Sequence, residues 1–360
     1  MEEANEIEHF GWYYKDYFKK NSAYFSGNIQ ERQTFLRATQ DLNHFVIVKK
    51  IKIRINDNDN TNNFKKILRE IYFLACCKKN RYFAEIIDVF LSEDSNHVFI
   101  ILKEEGADLK DFIEYEPYYK QNILSVSRSI IFDVVSGLKI LHKNGLSHND
   151  IKPSNIVVSD SLKAKICDMG STNKDSKMLY SGTKGYYSPQ ALLGKPRTKE
   201  DDMWSLGVVY LELLKKKVGE FVAESEGHIE NLKNLLNFYN IELKDKKKDV
   251  DIYDQVINYI KNNDYDSFEY ELKSVLFINI NNEDKELIQQ LLEIDPEKRL
   301  KAEELLNSPV FSSYKLIKSQ LNYSDNDYER YINEAITDRD TFLKYLEEIK
   351  EKFIGRELFP

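Results

Sequence analysis

The segment His148-Asn149-Asp150-Ile151-Lys152-Pro153-Ser154-Asn155 sets a carboxylate, a lysine and an amide side by side. Before it runs Ser125–Asn144, in which Ile130, Ile131, Val134, Leu138 and Leu141 form one stripe at helical spacing. After it comes the apolar run Ile156-Val157-Val158. Alone, Asp150 reads as a helix or turn cap. Four further segments follow in order: Asp168-Met169-Gly170, then Gly182-Thr183-Lys184-Gly185-Tyr186-Tyr187-Ser188-Pro189-Gln190, then Asp202-Met203-Trp204-Ser205-Leu206-Gly207, and finally Asp295-Pro296-Glu297-Lys298-Arg299. Any one could be accidental; the ordered set is not.

Outward to the N-terminus, Phe45–Ile55 alternates with period two. Lys49, Ile51, Ile53 and Ile55 share one parity, Lys50, Lys52 and Arg54 the other, which predicts a strand. The polar run Asn56–Asn63 predicts a loop. Phe64–Lys79, with Ile67, Leu68, Ile71 and Leu74, predicts a helix. Ile86–Leu91 and Val98–Leu102 read as two strands joined by the turn Ser92–Asn96. Toward the C-terminus, Asp201–Lys216 reads as a buried central helix, and Glu283–Glu293 and Ala302–Asn307 as further helices. Residues 312–360 repeat apolar spacing (Leu316, Ile317, Leu321; Tyr331, Ile332, Ile336; Phe342, Leu343, Leu346, Ile349) and read as added helices. Lys244–Lys248 reads as a solvated loop.

The chain has 360 residues, a net charge of -8, 42% hydrophobic and 31% charged residues, which rules out whole-chain disorder. With 13 glycines and 7 prolines it is neither collagen-like nor a Gly/Pro-rich linker. The acidic balance argues against general nucleic-acid binding. Cys76, Cys77 and Cys167 show neither a disulfide framework nor metal-ligand spacing, so a reducing intracellular site, cytoplasmic or nuclear, is expected. No run of about 18 apolar residues is present, so no membrane span is expected.

The ordered segments resemble the eukaryotic protein kinase family over roughly residues 20–311. The resemblance implies an α+β, bilobal fold: a small β-sheet lobe with one main helix and a larger, mostly helical lobe. It divides the chain into an N-terminal extension (1–20), a kinase domain (21–311, with lobes about 21–104 and 105–311) and a helical extension packed on it (312–360). It implies ATP and Mg2+ as cofactors. Asp150 would accept the proton of the attacking hydroxyl, Lys152 would sit by the transferring phosphate, and Asn155 with Asp168 would bind the metal. Val46-Ile47-Val48-Lys49 matches the strand whose lysine holds the α- and β-phosphates. Lys50 competes, and parity favours Lys49. Glu70 would be its partner; a surface salt-bridged Glu is the plainer reading. Leu102 would be the gatekeeper, backbone groups of Lys103 to Glu105 would bond adenine, and Ile47 and Val157 would flank it. Asp108 would reach the ribose or cap a helix.

Lys152 and Thr183 mark the Ser/Thr type, and Asp108-Leu109-Lys110-Asp111-Phe112 resembles the cyclin-dependent and MAP kinase group. The implied function is ATP-dependent transfer of the γ-phosphate to Ser or Thr of a protein substrate. Several positions depart from the pattern. The glycine-rich phosphate loop is missing from its place around Asn28–Phe35, and Ile47 stands where a small residue is expected. These two changes keep a pseudokinase or scaffold with weak nucleotide binding as the alternative. Asn149 replaces the arginine that pairs with an activation-loop phosphate, and Thr172, Ser176, Tyr180 and Ser181 are the candidate phosphosites there. Gln190 replaces a glutamate, so a hydrogen bond to Arg299 is expected in place of an ion pair. Tyr187 replaces the arginine linked to proline-directed substrates. A regulatory protein would dock on the Phe64–Lys79 helix, with Tyr72 and Phe73 at its surface, or on the C-terminal helices.

Overall fold

The computed structural model describes residues 13–14, 34–40, 44–53, 60–92, 96–115, 120–174, 182–219, 228–238, 241–243, 252–265, 270–272, 277, 279–333, 336 and 338–355. They fall into two compact units. The first comprises Met1–Gly106, Cys167–Gly170 and Ser319–Pro360; the second comprises Ala107–Ile166 and Ser171–Lys318.

In the first unit the alternating stretch becomes the middle of an antiparallel five-stranded sheet of order β1-β2-β3-β5-β4: β1 Tyr13–Tyr14, β2 Thr34–Gln40, β3 His44–Lys52, then helix α1 Asn60–Cys76, β4 Ile86–Leu91 and β5 His97–Lys103. In register, Lys49 lies opposite Phe35 on β2 and Ile100 on β5. Three expectations are corrected. Strand β3 ends at Lys52, short of Ile55. Helix α1 starts at Asn60, inside the stretch expected to be a loop, and stops at Cys76. Polar residues suit a helix's first turn, which an apolar stripe does not mark, and Lys79 adopts φ 66°, which closes the helix end. Thr34 and Phe35, expected in the phosphate loop, belong to β2, whose mixed sequence pairs because β3 is beside it. The remainder of that loop and Lys244–Lys248 lie outside the described residues.

The second unit opens with β6 Ala107–Asp108, α2 Leu109–Tyr115 and α3 Ile123–Lys143. It continues through β7 Leu146–Ser147, β8 Ile156–Val158, β9 Ala164–Ile166 and β10 Asn173–Lys174. Strands β6, β8 and β9 form one small sheet, β7 and β10 another. The helices α4 Pro189–Leu192, α5 Lys199–Lys215, α6 His228–Phe238, α7 Ile252–Asn262, α8 Asn282–Leu291 and α9 Ala302–Leu306 complete it. Helix α5 is buried from Asp201 to Leu213. A capping box between Thr198 and Asp201 starts it. Gly207 lets α8 approach: a Cβ there would stand 2.8 Å from Leu291 Cβ. Two last helices, α10 Asp325–Tyr328 and α11 Arg339–Ile349, belong to the first unit; each runs on into a π-helical turn, Glu329–Asn333 and Lys350–Ile354. Among the described residues no helix is long and apolar enough to cross a membrane.

Candidate active site

In the first unit, β3 aims Lys49 into the protein, where its side chain is 1% exposed and its Nζ donates to Glu70 Oε1 from α1. Asp168 Oδ1 lies 3.5 Å from the same nitrogen. Burial alone would lower the Lys49 ammonium, but Glu70 and Asp168 outweigh it and hold it above its ordinary value. The lysine is therefore a fixed positive charge. Lys50, of the other parity, instead places its Nζ 5.5 Å over the Phe99 ring. Asp168 is held in the left-handed region at φ 57°, and its Oδ1 also accepts from Gly170 N at 3.3 Å. Along the sheet, Ile47 stands opposite Leu102. Lys103 spends its backbone N–H on Glu85 O at 2.9 Å and leaves its side chain exposed, while Glu105 is half-buried.

In the second unit, the segment after α3 folds around Asp150. Its Oδ2 accepts from Lys152 Nζ and Asn155 Nδ2, both at 2.9 Å, and its Oδ1 accepts from Thr183 Oγ1 at 2.8 Å. Lys152 Nζ also reaches Thr183 Oγ1 at 2.7 Å. Asn155 Nδ2 makes a second bond, to Asp150 O, at 2.8 Å. The loop is pinned from below by Asp202 of α5, which accepts from His148 N at 2.7 Å, Asn149 N at 2.8 Å and faces His142 Nε2 at 3.0 Å. Burial would raise the Asp202 carboxyl, but the His142 contact and the His148 N–H hold it below its ordinary value.

Asn149 is left-handed (φ 68°), a conformation asparagine tolerates better than most side chains, and its Nδ2 donates to Ser147 O and Ser171 O. Gly182 has φ 99°, and a Cβ on it would lie 2.2 Å from Asn149 O, so only glycine fits. Asp108 pairs with Val157 across β6 and β8. Its Oδ1 accepts from Asp111 N at 2.9 Å, which realises the helix-cap reading.

Thr183 and Asp202 contribute more than their sequence suggested. Thr183 marks the substrate type in sequence, but folding makes it a direct partner of Asp150. Asp202 has no role legible in the sequence; its two backbone N–H partners give it one. Of the candidate phosphosites, Thr172 is fully buried in this structure, and Ser176, Tyr180 and Ser181 lie outside the described residues. Gln190 accepts from Arg299 Nη2 at 3.0 Å, as expected. Among the described residues no cluster of three or more His, Cys, Asp or Glu could hold a metal ion. The resemblance implies two residues for magnesium, the Asn155 amide in the second unit and the Asp168 carboxylate in the first. Both bonds of the Asn155 amide use Nδ2, leaving Oδ1 as a hard donor, and Asp168 is one-third exposed. Each by itself offers an oxygen donor of the hard kind that magnesium takes.

The Protein kinase domain family matches residues 33–311. The chain is 27% identical to Mitogen-activated protein kinase 14 of Xenopus laevis over 258 residues, covering 69% of this chain and 68% of that protein. It is 26% identical to Mitogen-activated protein kinase 12 of Danio rerio, covering 70% and 68%. It is also 26% identical to Mitogen-activated protein kinase Hog1 of Zymoseptoria tritici, covering 69% and 68%.

Proposed function

The chain belongs to the protein kinase family and is a serine/threonine protein kinase; on that premise we propose how its residues divide the work. Asp150 takes the proton of the incoming serine or threonine hydroxyl of a protein substrate, at Oδ1. One observation carries this. Among the described residues Oδ2 accepts from two donors, whereas Oδ1 accepts from Thr183 alone. A carboxylate oxygen has two acceptor sites, so Oδ1 keeps one for the substrate.

Lys152 stands beside the transferring phosphoryl group and stabilises its charge. Lys49, fixed by Glu70, holds the α- and β-phosphates of ATP. Ile47, Leu102 and Val157 give adenine its apolar contacts, and backbone groups of Lys103 and Glu105 bond its edge. Asp108, whose Oδ1 caps α2, is assigned to the ribose on the family resemblance. Asn155 and Asp168 would hold Mg2+, which when bound neutralises charge on the phosphates.

The test is transfer of the γ-phosphate to a generic basic protein. Asp150→Asn should lower the rate by roughly 10²–10⁴-fold, the usual worth of a general base. Lys49→Met should weaken nucleotide binding in parallel. An Asp150→Asn enzyme as fast as wild type would remove Asp150 from this role.

A further inference from the structure

The face of α1 expected to dock a partner is closed, because Tyr72 and Phe73 are buried. An opening lies instead in the second unit. It is a cavity of about 160 Å³ between the C-terminal end of α3, the first turn of α5 and the start of α9. A single water needs only about 10–15 Å³, so this cavity admits a polyatomic ion. Met203 and Leu300 supply an apolar wall, and His142, only 10% exposed, lines the cavity beside Asp202.

Its charge is one-sided. Lys139, Lys143, Lys199, Arg299 and Lys301 line it against Glu200 and Glu303, on a chain whose net charge is -8. Lys139 and Lys143 stand four residues apart near the end of α3, so they share a face, and the carbonyl end of a helix suits cations. Arg299 is buried, and its N–H groups go to Gln190 Oε1 and to the carbonyls of Glu200, Glu293 and Ile294, so it contributes fixed charge. Glu303 shows what the lysines can hold. Its Oε1 lies 3.0 Å from Lys139 Nζ and 3.8 Å from Lys143 Nζ, so both ammonium groups converge on one point. The hydrogen bond from Lys139 and the charge of Lys143 hold the Glu303 carboxyl below its ordinary value. That carboxylate is well exposed, and exposed ion pairs are weak, so a more highly charged ligand displaces it.

We propose that this cavity is an anion site that takes a phosphate monoester, carried by a phosphorylated protein or free in solution, with Lys139 and Lys143 as its main ligands and Glu303 as the resident carboxylate it displaces. A phosphate monoester carries a charge of about -1.5 to -2 at neutral pH and three strong acceptor oxygens, against the single charge of Glu303. Three oxygens can engage lysines from α3, α5 and α9 together, which one carboxylate cannot. Charge-assisted hydrogen bonds of this kind are roughly twice as strong as neutral ones, and the apolar wall of Met203 and Leu300 lowers the local dielectric and strengthens them further. The site uses none of the groups assigned to phosphoryl transfer.

The test is isothermal titration calorimetry of the full chain at low ionic strength, with Mg-ADP present to fill the nucleotide site. The probes are inorganic phosphate, a phosphoserine peptide and the same peptide with serine. Phosphate, the phosphopeptide or both should bind, and which of them binds identifies the source; the serine peptide should not. Lys139→Gln combined with Lys143→Gln should weaken binding on the order of tenfold or more. Glu303→Gln should tighten it, because the competing carboxylate is gone. Lys315→Gln combined with Lys318→Gln makes the same change of charge at exposed lysines elsewhere in the second unit and should alter binding little. The proposal is overturned if neither phosphate probe binds, if the serine peptide binds as well as its phosphorylated form, or if the Lys139/Lys143 variant keeps wild-type affinity. An equal loss in the Lys315/Lys318 variant, or weaker binding in Glu303→Gln, would overturn it too. If the Lys139/Lys143 variant does not fold, Lys143→Gln alone decides, since its side chain is 61% exposed.

Discussion

Gln190 shows how a single residue can depart from a family pattern and suit its own surroundings. Its Oε1 accepts from the buried Arg299, while its Nε2 donates to Ile294 O at 2.7 Å and to Tyr265 Oη at 3.0 Å. Restoring the family's acid by Gln190→Glu would create an ion pair with Arg299. It would also set a carboxylate oxygen against the Ile294 carbonyl and leave that carbonyl without this donor. In a buried site the second effect outweighs the first, because desolvation offsets most of the attraction. We predict that Gln190→Glu lowers stability by about 1–3 kcal/mol in urea unfolding; a more stable variant would refute it. At this scale the sequence was legible where a periodic rule applied. Parity alone separated Lys49 from Lys50. It was silent on what the Asn149 amide bonds: Ser147 O, two residues before it, and Ser171 O, 22 residues after it, which only folding brings within reach.

Among the elements, α5 anchors the chemistry through Asp202. Its buried carboxylate holds the backbone N–H groups of His148 and Asn149 just ahead of Asp150. The folded carboxyl is depressed below its ordinary value. A depressed acid stabilises the fold above its unfolded pKa, about 3.9, and that stability is lost as pH falls through the lower folded value. Unfolding free energies measured from neutral pH downward should therefore fall more steeply below about pH 4 for wild type than for Asp202→Asn. Parallel curves would show that Asp202 does not carry the effect. Helix α1 was legible as a helix but not in its surroundings. From Ile71 to Cys77 every residue is apolar or aromatic. Such a run fills more than one helical stripe and marks cover on both sides. The segment that supplies the cover is some 250 residues away in sequence, as the Tyr72 Oη to Ser324 O bond, 252 positions apart, records, and no local pattern connects them.

For the whole molecule, the three thiols report which parts are sealed. Cys76 and Cys77 lie in the core of the first unit, and none of the three forms a disulfide. Burial pushes the Cys76 thiol up to about 12 and Cys77 well above its ordinary value, whereas Cys167, beside Asp168, is half-buried. Only thiolates alkylate, so iodoacetamide at about pH 8 should label Cys167 alone in the native protein and all three residues in urea. Native labelling of Cys76 or Cys77 would mean that the segment over α1 opens readily. The sequence by itself determined the family, the order of the strands and helices around the site, and the candidate catalytic residues, because these are written in contiguous segments and short periods. Only the tertiary structure decided what Asp150, Asp202 and Tyr72 touch. Thr183 lies 33 residues from Asp150, and His148 and Asn149 lie more than 50 from Asp202; hydrogen bonds and apolar contacts of this kind form between surfaces that exist only once the chain has packed.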